Sequence, residues 1–188
     1  MLFVGLGNPG STYKDNRHNI GYKVIDRLID DLGARDISKN SFEGQLFRFG
    51  TLFLLKPTTY MNLSGKSVQA VKNFFKIPIE EIVVIHDDID LPFGAVRIKR
   101  GGGDGGHNGL KSIDEAIGRE YVRVRIGVGK PEHKSEVSSY VLHDFTDEEQ
   151  TNLDRLVLYT ATLCRKIPTT NLEQIKSLYS VKDISKIK

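Results

Sequence analysis

The chain has 188 residues, 39% hydrophobic and 27% charged, with a net charge of +3, the makeup of one folded domain with a sizeable core. No run of about 18 apolar residues is present, which excludes a membrane-spanning helix, and no secretory signal is expected at the N-terminus. Cys164 is the one cysteine, which excludes an intrachain disulfide and sets the expectation of a reducing cytoplasm.

In chain order, Leu2-Phe3-Val4 reads as a buried strand that enters Gly5-Leu6-Gly7-Asn8-Pro9-Gly10. These glycines fit the dinucleotide-binding pattern, but their context opposes it. Pro9 interrupts the motif, Ser11 to Asn19 has no apolar stripe, and Asp26 and Asp30 fall on a helix rather than after a second strand. The glycines are instead expected to turn the backbone sharply and keep a substrate-facing loop open. Ile20 to Leu32 has helical periodicity and Gly33 as its stop. Gln45–Phe49 and Leu52–Leu55 read as a hairpin about Gly50-Thr51, ended by Pro57. Ser64 is placed to cap a helix with Val68, Val71, Phe74 and Phe75 on its apolar face. Ile82 to Ile85 is apolar throughout, as in a strand covered on both sides.

Ala95 to Lys99 alternates as a strand, and a loop with six glycines in nine residues, Gly101 to Gly109, leads to a helix over Leu110–Ile117. Val122 to Val128 predicts a strand with one buried face and Arg123 and Arg125 on the other. Thr146-Asp147-Glu148-Glu149 is a helix start. Cys164 sits in a helical pattern with Leu156, Val157, Leu163 and Ile167, as a small core residue would. A last helix is expected over Leu172–Leu178, and then a lysine-rich tail, mobile from about residue 180. The pattern predicts a single α/β domain, 1–188, with a mixed twisted β-sheet flanked by helices.

Charge is uneven. Residues 97–134 hold nine Lys/Arg against five Asp/Glu, so this segment carries the whole positive surplus. Such a cluster suits a polyanion, although a solvated face of mixed charge has the same composition.

Four polar loops follow predicted strands, where α/β sheets place their ligands. The first carries Asn8, Tyr13, Arg17 and His18; the second Tyr60, Met61 and Asn62; the third His86-Asp87-Asp88-Ile89-Asp90; the fourth the glycine run with His107 and Asn108. Histidines, carboxylates and amides with no Ser or Cys nucleophile beside a base favour a water activated by a general base, with the amides gripping a neutral polar substrate. Two rival classes share these residues. A metal phosphohydrolase would use Asp87, Asp88 and Asp90, and a non-enzymatic RNA-binding module would use only the basic cluster.

GLGNPGSTYKDNRHNIG, KPTTYMNLSGKSV, HDDIDLPFGAVRIK and GGGDGGHNGLKSI together resemble the bacterial peptidyl-tRNA hydrolase family, from residue 3 to about 145 and in family order. The resemblance implies an enzyme that cleaves the ester joining a peptide to the 3′ ribose of tRNA. It implies no metal, no cofactor, no membrane and no obligate protein partner, and a cytoplasmic monomer. It assigns His18 as general base and Asp87 as its supporting carboxylate. It gives Asn8, Asn62 and Asn108 as amides that hold substrate, with Asn8 telling blocked from free amino groups. Tyr13, Tyr60 and Met61 would line the site, and Lys99 and Arg125 would clamp tRNA phosphate. Asn16 departs from a commoner Thr, and beyond Phe145 the resemblance is loose.

Overall fold

The computed structural model describes residues 1–187. Seven strands form one mixed sheet: β1 (Leu2–Gly5), β2 (Arg35–Asp36), β3 (Gly44–Phe49), β4 (Leu52–Pro57), β5 (Ile82–Asp88), β6 (Val96–Arg100) and β7 (Val122–Gly127). Their order across the sheet is β2-β3-β4-β1-β5-β7-β6. β4, β1, β5 and β7 are mutually parallel, whereas β3 and β6 run against them. The helices are α1 (Ile20–Leu32), α2 (Ser64–Phe75), α3 (Asn108–Ile117), α4 (Val137–Val141), α5 (Asp147–Lys166) and α6 (Leu172–Tyr179).

Strand alternation sends neighbouring side chains to opposite faces, and both faces are apolar in the centre of the sheet. Phe3, Val83 and Ile85 pack with Val24 and Leu28 of α1 and Leu156 of α5. Leu2, Val4, Ile82 and Val84 pack with Val68 and Val71 of α2 and Ile113 of α3. The all-apolar run Ile82 to Ile85 is thus explained by cover on both sides.

Two elements escaped the sequence. β2 is two residues long, and α4 is a single turn preceded by a short 3-10 segment. Both fall below the length at which periodicity can show.

Four details differ from expectation. Arg123 is only 1% exposed, because α3 and the glycine-rich loop cover the face of β7 that was read as solvent-facing. Phe74 is 54% exposed and belongs to an aromatic cluster with Phe42 and Phe75 rather than the buried stripe. Ser64 is the first helical residue, and its hydroxyl donates back to the Met61 carbonyl instead of capping. The lysine-rich terminal segment carries anchors that composition hides: Val181 exchanges two backbone hydrogen bonds with Val96, and Ile184 is buried. The capping box at Thr146 and Glu149 is present as read, and Cys164 is a core residue whose thiol pKa burial pushes up.

Candidate active site

The glycines of the first loop serve two ends. A Cβ on Gly5 would lie 2.3 Å from the Gly21 carbonyl oxygen, and one on Gly7 would meet the Tyr22 ring. These two let α1 press against β1. Gly10, with φ of 102°, is the position that turns the backbone into the left-handed region. The chain then folds back through a 3-10 turn, Arg17–Asn19, that lifts His18 over the end of β5.

At that end lies Asp87, buried and held by two imidazoles. His18 Nδ1 is 2.8 Å from Oδ2 and 3.0 Å from Oδ1, and His107 Nε2 is 2.8 Å from Oδ1. The tautomers follow from the partners. His107 Nδ1 accepts from the backbone N–H groups of Gly109 and Leu110 as the N-cap of α3, so its proton sits on Nε2 and points at Asp87. His18 Nδ1 likewise donates to the carboxylate, which leaves Nε2 unprotonated and free to act as a base. Burial by itself would push the Asp87 carboxyl pKa up, but the two imidazoles outweigh it and hold the group ionised, well below the usual carboxylate range. Burial works against a charge on His18 too; the Asp87 carboxylate and its hydrogen bond overcome this, and the His18 pKa is raised above 6.5.

Asn8 is fixed with similar completeness. The Asn19 side chain takes the Asn8 backbone on both edges, accepting from its N–H and donating to its carbonyl, each at 2.9 Å. The Asn8 amide oxygen accepts the Met61 backbone N–H at 2.8 Å. Among the described residues its Nδ2 has no protein partner, so Asn8 offers the cleft a donor and nothing else.

A cleft of about 890 Å³ opens over these groups. Asn8, His18, Met61, Asn62, His107 and Asn108 lie at its reacting end, and Tyr60, which is 60% exposed, stands at its rim. Lys99, Arg125, Lys130 and Lys134 supply positive charge along one wall, while Val137, Val141 and Leu142 give an apolar flank on α4 and just after it. That flank is tied to the turn that carries His18. Arg17 donates to the Tyr140 carbonyl at 3.1 Å, pairs with Glu149 at 3.0 Å and lies 4.0 Å from the Tyr140 ring centroid.

The structure therefore gathers His18, Asp87, Asn8, Tyr60, Met61, Asn62, Asn108, Lys99 and Arg125 at one cleft. Tyr13 is not among the lining residues, although Asn8 and His18 of the same loop are. Two side chains that shape the site, His107 and Asn19, are not singled out by sequence reasoning. His107 lies in the glycine run, and its place just before a helix is an N-cap signal. Asn19 has no local signal, and neither does the cover that buries Arg123, since the partners are distant in sequence.

A metal reading has one candidate among the described residues, His18, Asp87 and His107. Two of those ligand atoms carry protons already donated to the third, so an ion would have to displace both. The rival trio Asp87, Asp88 and Asp90 does not converge. Successive strand residues diverge, and Asp88 is engaged by Arg125 and the Asp90 N–H.

Fold and site together define a single-domain α/β protein of hydrolase type, built around a histidine–aspartate pair at the carboxyl end of a mixed sheet. The peptidyl-tRNA hydrolase family model matches residues 2–186. Proteins named peptidyl-tRNA hydrolase from Sulfurovum sp. (strain NBC37-1) and Sulfurimonas denitrificans are 65% and 56% identical over 97% of this chain, covering 97% and 98% of their own lengths. A crystal structure of peptidyl-tRNA hydrolase from Acinetobacter baumannii, 36% identical, superposes with a TM-score of 0.92 over 97% of this chain and 95% of its own. This chain belongs to the peptidyl-tRNA hydrolase family.

Proposed function

We propose that this enzyme hydrolyses the ester of N-blocked peptidyl-tRNA with a water activated by His18, returning free tRNA to translation. The observation that carries this reading is the doubly held Asp87 carboxylate, which leaves His18 Nε2 as a base over a cleft with a cationic wall. His18 takes a proton from water as its oxygen attacks the acyl carbon. Asp87 accepts the Nδ1–H throughout and stabilises the imidazolium without taking the proton. The tetrahedral intermediate then expels the ribose 3′ oxygen, which leaves with the proton from Nε2. No metal or other cofactor has a part in these steps.

Asn8 Nδ2 selects for a blocked amino group. It meets the carbonyl oxygen of an amide, whereas a free ammonium brings only donors. Lys99 and Arg125 hold tRNA phosphate. The enzyme acts in the cytoplasm as a monomer; no described helix is long and apolar enough to cross a membrane. The test is deacylation of N-acetyl-aminoacyl-tRNA and of unblocked aminoacyl-tRNA, side by side, with and without EDTA. Preferential cleavage of the blocked substrate, unaffected by EDTA, is expected. Equal rates on both substrates, or no cleavage of either, would overturn the proposal.

A further inference from the structure

The acidic run after His86 holds a residue that the hydrolytic chemistry leaves unused. Asp88 follows Asp87 on β5 but points to the opposite face, the face that also carries Lys99 of β6 and Arg123 and Arg125 of β7. Its two oxygens are both engaged. Oδ1 accepts the Asp90 backbone N–H at 2.9 Å, and Oδ2 lies 2.8 Å from Arg125 Nε. The Asp88 side chain is 11% exposed and that of Arg125 23%, so the pair is half-sheltered by the cleft rather than free in solvent.

The choice of Nε matters. A guanidinium donates from Nε along one edge and from its two terminal nitrogens along the fork. Among the described residues, Nε alone of Arg125 has a partner, so the Nη1 and Nη2 hydrogens are left for the cleft. Arg123, two residues earlier on the same strand, shows the opposite arrangement. Its fork is consumed by the Gly102 and Gly103 carbonyls and by Asp114. Of the two arginines, only Arg125 has a fork to offer an incoming anion.

We propose that Asp88 is a positioning residue for phosphate recognition: anchored to the backbone at Asp90, it holds Arg125 by Nε so that the guanidinium fork faces the cleft for a two-point grip on a tRNA phosphate. This rests on the reading of Lys99 and Arg125 as the phosphate clamp. An arginine held in this way grips a phosphate with little ordering left to do when the anion arrives. A carboxylate so near an anion site also repels that anion. The arrangement works because the Asp88 charge is spent on Nε and on a backbone donor, while Lys99 stands on the neighbouring strand.

The test is a double-mutant cycle on the whole enzyme with N-acetyl-aminoacyl-tRNA. Asp88→Asn keeps an acceptor for the Asp90 N–H but turns an amide toward Arg125 or loses the contact. KM is expected to rise roughly threefold to tenfold, the scale of one partly sheltered charge-assisted contact, with a smaller change in kcat. Arg125→Ala should raise KM and lower the salt slope of binding by about 0.7 to 0.9. In the Arg125→Ala background, Asp88→Asn should cost almost nothing more, and the deficit should shrink on an N-blocked aminoacyl-nucleoside, which has no phosphate. If Asp88→Asn tightens tRNA binding, leaves KM unchanged, or costs as much without Arg125 as with it, the positioning role is refuted. An unchanged salt slope in Arg125→Ala refutes the clamp itself, so the two failures are separable. Urea denaturation of each variant distinguishes a folding defect from either.

Discussion

At the scale of single residues, chemistry depends on which atoms are left over once the protein has satisfied its own hydrogen bonds. His18 has one nitrogen spent on Asp87 and the other free. His18→Ala is expected to lose about 10²- to 10⁴-fold in kcat with tRNA binding nearly intact, and Asp87→Asn somewhat less, because shape is kept while the tautomer is not. A His18→Ala enzyme within tenfold of the parent would contradict the general-base role. The rate should rise with pH as His18 loses its proton. Because the Asp87 charge raises that pKa, the midpoint should lie above 6.5, and in Asp87→Asn it should move down. Asn8 illustrates the same rule. Its oxygen is spent on Met61, so Asn8→Asp can keep that bond but puts a second oxygen where Nδ2 was. Total activity should fall while the ratio of unblocked to blocked substrate cleavage rises. Equal losses on the two substrates would rule Asn8 out as the discriminator.

At the scale of elements, the glycine-rich loop is the informative case. β6 runs against β7, so the loop leaves from the amino end of the neighbouring parallel strands, the edge away from the active site. It must climb the sheet face to deliver His107 to Asp87. Arg123 fixes its course, donating to the Gly102 and Gly103 carbonyls while paired with Asp114 of α3 at 3.1 Å. Positive φ at Gly101, Gly102, Gly105 and Gly106 explains the glycine density better than bare flexibility does. Arg123→Met leaves Asp114 buried beside unmatched carbonyls. It should cost about 3 to 5 kcal/mol of stability, measured by urea denaturation, and speed amide exchange in residues 101–107. A loss under about 1 kcal/mol would show that the loop is held by something else.

At the scale of the whole molecule, the buried site ties stability to pH. His86 lies wholly inside, with Nδ1 donating to the Asp87 carbonyl at 2.7 Å. Burial, and then the neighbouring His107, bring its pKa down to about 3. The unfolded chain takes up a proton near pH 6.5 that the native state refuses. Stability is therefore full above 6.5 and falls as the solution is acidified toward 3, at up to about 1.4 kcal/mol per pH unit near pH 5. His18 acts in the opposite sense. Its raised pKa adds stability that is complete below 6.5 and is lost as pH climbs through the folded value. Denaturation curves should therefore show stability falling from pH 6.5 to pH 5, and His86→Asn should flatten that acid limb. An acid limb of unchanged slope in that variant would assign the loss to other groups.

The sequence by itself determined the layered α/β architecture, the chain order of the main helices and strands, and the motifs by which the family can be recognised. These are carried by local periodicity and by spacing along the chain, both of which survive without coordinates. It also marked the polar loops that carry His18, Asp87 and Asn8 as candidates, because they follow strands and are rich in chemistry, while the roles of these residues came from the family resemblance. Only the tertiary structure decided that Arg123 is interior while Arg125 is half-open, that His107 shares Asp87 with His18, and that Tyr13 does not line the cleft. Each of these depends on what covers a strand face or how far a loop travels, and such cover is supplied by residues tens of positions away that leave no local pattern.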